Sequence, residues 1–177
     1  NLSGKKIFND REAVNNIAAK IAKAAQQAET LGDDRAQSYA LGYLGHIYEQ
    51  TQQLKSAKKL TQKALILAQT SNAPDVAYRW QWQLGRLFKK QNNFVEAISA
   101  YDGAVATLDS IRNELVASNL DIQFSFRESV EPVYREFVSL LLTPVRGETS
   151  QEKLIKARQV IESLQLAELD NFFNEPC

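Results

Sequence analysis

The chain contains one side chain that could act as a nucleophile and one that could act as its base. Cys177 is the single cysteine and His46 is the single histidine. A cysteine–histidine pair is reactive only when a scaffold holds both groups in hydrogen-bond reach and orients the histidine. The two residues are 131 positions apart, so we predict that this segment is not an enzyme. No second histidine or cysteine lies at ligand spacing, so we expect neither a metal ion nor a cofactor.

A second group of residues suits binding, because it places cations around an aromatic ring. Its members are Arg79, Trp82, Arg86, Lys89 and Lys90. Forty residues earlier, the equivalent positions hold Tyr39, Gly42, His46, Glu49 and Gln50. Arginine pairs with carboxylates through parallel N–H bonds, and tryptophan covers apolar side chains at interfaces. The two sets therefore predict a groove that binds a protein or peptide partner of acidic character.

A less specific interpretation stays open, in which the charged stripe is a solvated helix face and His46 is a neutral packing residue. In both interpretations the basic side chains face solvent. Reversing the charges of Arg86 and Lys89 is therefore expected to leave the melting temperature nearly unchanged.

The elements that carry these residues are repeated. The run Leu44-Gly45-His46-Ile47-Tyr48 returns forty residues later as Leu84-Gly85-Arg86-Leu87-Phe88. An apolar residue and two alanines follow each run at matching offsets: Leu54, Ala57 and Ala64, then Phe94, Ala97 and Ala104. This pattern resembles the tetratricopeptide repeat, a pair of packed helices. The resemblance implies an all-α fold, a right-handed superhelix of antiparallel helical hairpins whose inner wall binds peptides.

The small residues of the pattern have a packing role. Gly45 and Gly85 let the second helix of each hairpin approach closely, and Ala57 and Ala97 are expected at the two crossings. Trp80 lies in register with the apolar positions of its helix and is expected in the core.

Start and stop signals predict seven helices in two regions. The helices are predicted over about 9–29, 33–51, 54–69, 74–91, 94–116, 129–142 and 149–172. Residues 1–117 are expected to form a partial repeat and then two full repeats. The repeat fades in residues 118–177, which are expected to form a helical hairpin leading to a missing downstream domain.

Composition limits the classes of partner. The chain has 21 basic and 21 acidic residues, so nothing predicts a nucleic-acid surface. No apolar run approaches the roughly 18 residues that span a bilayer, so we expect no membrane partner. A single cysteine fits a reducing, cytoplasmic location. With no methionine, the sequence is interpreted as a piece of a longer protein.

Residues 118–177 carry a more specific resemblance. It rests on the runs Phe126 to Arg135, Ala157 to Glu162 and Leu164 to Phe173, and on Cys177. These resemble the linker helices that precede the peptidase-like domain of bacterial, chiefly cyanobacterial, CHAT proteins (caspase-like domains associated with tetratricopeptide repeats). The resemblance implies a scaffold or recognition module that regulates a caspase-like domain in cis. The alternative is a stand-alone adaptor or self-assembly solenoid with no linked enzyme.

We predict that this chain has no hydrolytic activity, because its one histidine and one cysteine belong to separate elements. Incubation with a peptide library, followed by mass spectrometry, should leave every peptide intact. Cleavage that disappears in the Cys177→Ala variant would contradict this prediction.

Overall fold

The computed structural model describes residues 11–118, 126–144 and 150–173, and the described part is all-α. Its helices are α1 (Arg11–Leu31), α2 (Asp34–Gln50), α3 (Leu54–Thr70), α4 (Pro74–Lys90), α5 (Phe94–Ser118), α6 (Glu131–Leu141) and α7 (Gln151–Phe173), with a π-helical turn, Phe126–Val130, before α6. The prediction of an all-α fold is thus confirmed, and the described residues form seven α-helices. The predicted starts at residues 9 and 149, and Cys177, lie outside the described residues. No described helix is long and apolar enough to cross a membrane.

The first four helix junctions recur every twenty residues, which is half of the repeat period. Each has one residue with a positive φ, between 49° and 68°: Gly32, Gln52, Asn72 and Asn92. At the fourth of these junctions, Asn92 N donates to Lys89 O and Asn93 N donates to Phe88 O, both at 3.0 Å. The same two bonds form at the other three junctions. This Schellman geometry ends a helix and reverses the chain, so successive helices run antiparallel.

Three hairpins, α2–α3, α4–α5 and α6–α7, stack in chain order, and α1 packs against α2. The alanines of the repeat occupy the tight positions of this stack. Ala57, Ala64, Ala97 and Ala104 are all 0% exposed. A larger side chain at any of them would push neighbouring helices apart. The described part of the chain is therefore a helical-hairpin solenoid.

The core continues past residue 117, where the repeat pattern fades. Tyr101 of α5 stacks on Phe137 of α6, with ring centroids 5.8 Å apart. Ala157, Val160 and Leu164 of α7 join the same apolar cluster. The described part of residues 118–177 therefore packs on the repeats as a third hairpin.

Both repeat glycines lie at close helix crossings, and the same repeat position of the second helix approaches each of them. A Cβ built on Gly45 would lie 2.7 Å from Thr61 Oγ1 and 3.2 Å from the carbonyl oxygen of Ala57, the predicted neighbour. A Cβ on Gly85 would lie 2.6 Å from the ring of Tyr101, which stands forty residues after Thr61. Side chains on a helix lean toward its N-terminus, so the Tyr101 ring reaches back over the turn that carries Ala97.

We predict that Gly85→Ala destabilises the protein by about 1–3 kcal/mol. The added methyl group would meet the Tyr101 ring, which cannot retreat because it stacks on Phe137. Urea unfolding measures the change. Gly103→Ala is the matched control, since a Cβ there would meet its nearest atom, on Gln81, at an ordinary 3.4 Å. The control should gain up to about 1 kcal/mol of helix propensity, and equal losses in both variants would contradict the packing account.

Candidate functional site

A cleft of about 340 Å³ lies where the first helices of the three hairpins meet. We call it the inter-hairpin cleft. Its lining comes from α2, α4 and α6: Tyr43, His46, Arg79, Trp80, Trp82, Gln83, Arg86 and Glu136. Helix α4 supplies most of it, because the 3.6-residue period turns the positions 79, 82, 83 and 86 toward one side.

A buried carboxylate joins the first two hairpins beside this cleft. The side chain of Glu49, on α2, is 1% exposed. It accepts from Arg86 Nε at 3.2 Å and from Arg86 Nη2 at 3.1 Å, while Lys90 Nζ donates at 2.9 Å. The expectation that Arg86 faces solvent is therefore wrong. Reversing its charge would place a second carboxylate against Glu49, which a buried site does not tolerate.

His46 also lies against this carboxylate, with its Nδ1 3.6 Å from Glu49 Oε2. Burial by itself raises the pKa of Glu49. The neighbouring His46 imidazole and the Arg86 and Lys90 cations outweigh that effect and lower the pKa to about 2. Glu49 is therefore ionised at physiological pH. Within the described ranges, no three His, Cys, Asp or Glu side chains are arranged to hold a metal ion.

Trp82 and Arg86 form a fixed pair at the centre of the cleft. The Arg86 guanidinium lies over the Trp82 ring, 4.4 Å from its centroid. Trp82 Nε1 donates to Glu136 Oε2 at 2.8 Å, and the Tyr101 hydroxyl donates to the same oxygen at 2.7 Å. Burial, together with the nearby Glu136 charge, raises the pKa of Tyr101, so the hydroxyl retains the proton that it donates. Partners from the first and third hairpins thus hold this pair in place.

Two arginine donors in the lining have no acceptor. Arg86 uses Nε and Nη2 for Glu49, and its Nη1 is shielded from solvent and unpartnered. Arg79 Nε is shielded in the same way, and no described carboxylate forms an ion pair with Arg79. A shielded donor without an acceptor costs roughly 1–3 kcal/mol. Arg79 is therefore a cation of the cleft lining that no described carboxylate neutralises.

The end of the cleft near Tyr43 is aromatic. Tyr39 and Tyr43 stack with centroids 6.3 Å apart, and Tyr43 meets the Trp80 ring edge-on at 5.7 Å. Trp80 is 3% exposed and donates its Nε1 proton to Ser38 Oγ at 2.9 Å, so its predicted core position is confirmed. The prediction that Gly42 faces the groove is wrong, because the Trp80 ring covers it.

The structure brings together four of the seven predicted binding residues. His46, Arg79, Trp82 and Arg86 line the cleft. The other predicted positions surround it or lie outside its lining: Tyr39 stacks on Tyr43, Lys90 binds Glu49, and Lys89 and Gln50 are not part of the lining.

Four lining residues were not predicted as part of the site: Trp80, which was expected in the core, and Tyr43, Gln83 and Glu136. Tyr43 lies one helical turn after Tyr39, and Gln83 lies one turn after Arg79, so helical periodicity could have identified both. Glu136 could not have been found in this way. It lies on α6, beyond the point where the forty-residue repeat fades, and only packing brings it to Trp82.

Together, the fold and the cleft define a helical-hairpin solenoid with a polar and aromatic cleft between its first helices. No family model and no curated protein matches this chain. Among solved structures, the chain is similar to BtubC (BKLC) from P. vanneervenii, with 15% identity and a TM-score of 0.41. The match covers 97% of this chain and 83% of that chain. A likeness at this level carries no argument about function.

We predict that Glu49→Gln destabilises the protein and removes part of its acid sensitivity. The lowered pKa of Glu49 contributes stability that is complete above its ordinary value of 4.5 and is lost as the pH falls toward about 2. The contribution is on the order of 3 kcal/mol. Urea unfolding between pH 7 and pH 2 should show this loss in the parent protein and a flatter profile in the variant.

Glu29→Gln is the matched control for this experiment. Its carboxylate pairs with Lys63 at 3.4 Å, but both side chains are more than half exposed. Such surface pairs contribute about 1 kcal/mol or less. A loss of stability as small in Glu49→Gln as in Glu29→Gln would contradict the role of the buried carboxylate.

Proposed function

We propose that this chain is a protein-interaction module that binds an acidic peptide in the inter-hairpin cleft. The observation that carries the proposal is the Arg79 guanidinium, which lines the cleft and has no ion-pair partner among the described residues. A carboxylate is the natural acceptor for a guanidinium, because it forms charge-assisted hydrogen bonds. The rings of Trp82 and Tyr43 offer apolar surface to the neighbouring residues of the peptide.

The charge balance around the cleft supports an anionic ligand. Arg86 and Lys90 share the single carboxylate of Glu49, so this cluster keeps a net positive charge. Arg79 adds a second positive charge, without an ion-pair partner among the described residues. Glu136 is the one carboxylate among the described lining residues, and its Oε2 already accepts two hydrogen bonds. Net positive charge steers an acidic partner toward the cleft.

The wider role of the module is proposed on the sequence resemblance alone. The hairpins are interpreted as tetratricopeptide-like repeats that serve a caspase-like domain of the CHAT type in cis. The gene sequence beyond the Cys177 codon tests this interpretation. A strand-rich continuation with a histidine and a later cysteine supports it, whereas a stop codon or further repeats favour a stand-alone adaptor.

We predict that Arg79→Glu weakens the binding of acidic peptides at least about tenfold, because it replaces a charge-assisted donor by a repelling carboxylate. An array of acidic, basic and neutral peptides identifies the class that binds, and calorimetry of the best peptide gives the Kd. The protein should remain folded, since the contact that Arg79 loses is a cation–π contact with the buried ring of Tyr78, at 5.3 Å, worth about 1–2 kcal/mol. Added salt should weaken the parent complex.

Arg158→Glu is the control for the change in net charge. This side chain lies on α7, outside the cleft lining, and is 81% exposed. The variant should bind the same peptide as tightly as the parent protein. An array without enrichment of acidic peptides, or equal losses in Arg79→Glu and Arg158→Glu, would contradict the proposed function.

A further inference from the structure

We infer that α7 pairs with α7 of a second copy of this chain, so that the two helices run antiparallel in a two-fold dimer. The evidence is the outward side of α7, which has the spacing of a coiled-coil seam and a charge pattern that suits the antiparallel direction. The inference is independent of the proposed function, because α7 contributes no side chain to the lining of the inter-hairpin cleft.

Helix α7 is apolar on two sides, and the chain covers only one of them. The inward side is buried and consists of Ala157, Val160, Leu164 and Ala167. Of the thirteen exposed large apolar side chains in the described ranges, seven lie on α7: Leu154, Ile155, Ile161, Leu166, Leu169, Phe172 and Phe173. A helix that is apolar all round is normally covered all round, and the outer face of a solenoid must be polar for the protein to stay in solution. We therefore expect a partner on the outward side of α7.

The outward side of α7 has heptad spacing. Six exposed positions follow one another at intervals of three and four residues: Ile155, Arg158, Glu162, Gln165, Leu169 and Phe172. The a and d positions of a coiled coil alternate in the same way and form its seam. The other four exposed apolar side chains of α7 flank this seam. Such a seam fits a second helix.

The charges on the seam select the direction of that helix. A parallel second copy would place Arg158 opposite Arg158 and Glu162 opposite Glu162, where like charges repel. The intervals of three, four, three, four and three residues are the same in both directions, so an antiparallel copy also matches every position. The facing pairs are then Ile155 with Phe172, Arg158 with Leu169, and Glu162 with Gln165. None of these pairs joins two like charges.

The charges along the whole helix favour the same direction. Residues 151–160 contain three basic side chains and one acidic side chain, whereas residues 161–173 contain three acidic and no basic side chains. An antiparallel pair places the basic half of each helix against the acidic half of the other, and it also opposes the two helix dipoles. Two identical helices meet in this way about a two-fold axis, which is the commonest symmetry of protein dimers.

Ion pairs within the chain leave this charge pattern in place. Lys156 and Glu168 have partners on α5 and α6, and the other charges of the two halves keep opposite net signs. Arg158 and Glu162 pair with each other at 2.8 Å, but both side chains are more than half exposed. A surface pair of this kind is weak, so both side chains can turn to a second copy.

The mass in solution tests the dimer. Sedimentation equilibrium should show the mass of one chain at low concentration and twice that mass at high concentration. Leu166→Glu should raise the Kd of the dimer at least about tenfold, because its carboxylate would be buried beside Glu162 of the second copy. Ile66→Glu, on α3, is the matched control, since Ile66 is 60% exposed and Leu166 is 53% exposed. The control should dimerise like the parent protein. A monomer at every concentration, or equal effects of the two substitutions, would overturn the inference.

Cross-linking tests the direction of the pair. Ile155→Cys and Phe172→Cys are prepared as separate variants, each with Cys177→Ser, and are then mixed under mild oxidation. An antiparallel pair brings the two positions together, so the mixture should give a disulfide-linked dimer that contains one copy of each variant. Each variant alone should remain without cross-links. Cross-links within each variant alone, or none in the mixture, would overturn the inference.

Discussion

The buried carboxylate of Glu49 is the constraint on which the arrangement of the first helices depends. A charge removed from water destabilises a protein unless its partners replace the lost hydration. Arg86 and Lys90 replace it here, and both come from a different hairpin. The ion pairs of Arg86 and Lys90 with Glu49 therefore fix the register of α4 against α2, which apolar contacts between small side chains cannot do.

The contact between Glu49 and Arg86 affects side chains of all three hairpins. Arg86, held at one edge by Glu49, lies over the Trp82 ring. Trp82 in turn donates to Glu136 on α6, which also accepts from Tyr101 on α5. Each side chain of the series thus limits the next. A binding surface built from such side chains loses little conformational entropy when a ligand arrives, because the first hairpin already holds Arg86 in position. The unpartnered donors of Arg79 and Arg86 lower the stability of the fold. Such a loss of stability is common where a site is organised for a ligand.

The sequence could predict the local features of the fold but not the contacts between hairpins. Gly45, Gly85 and the repeat alanines report on the packing of a helix against its immediate neighbour, so their spacing identified the hairpins. The junction at Asn92 is likewise encoded within a few residues. Glu49 is different, because it lies on a polar helix face and is buried only by the next hairpin. The predicted groove position of Gly42 was wrong for the same reason, since the Trp80 ring that covers Gly42 comes from α4.

Nitrogen-15 spectroscopy of the arginine side chains tests the central claim, that Arg79 of the cleft binds a carboxylate of an acidic ligand. The Nε–H signals of Arg79, Arg86 and Arg158 can be followed while the acidic peptide that binds best in the array is added. The Arg79 signal should shift in a saturating way, because its guanidinium gains a charge-assisted partner. The Arg86 Nε is already bound to Glu49 and should change little, and the signal of the exposed Arg158 should stay in place. An unchanged Arg79 signal, or equal shifts at Arg79 and Arg158, would contradict the account.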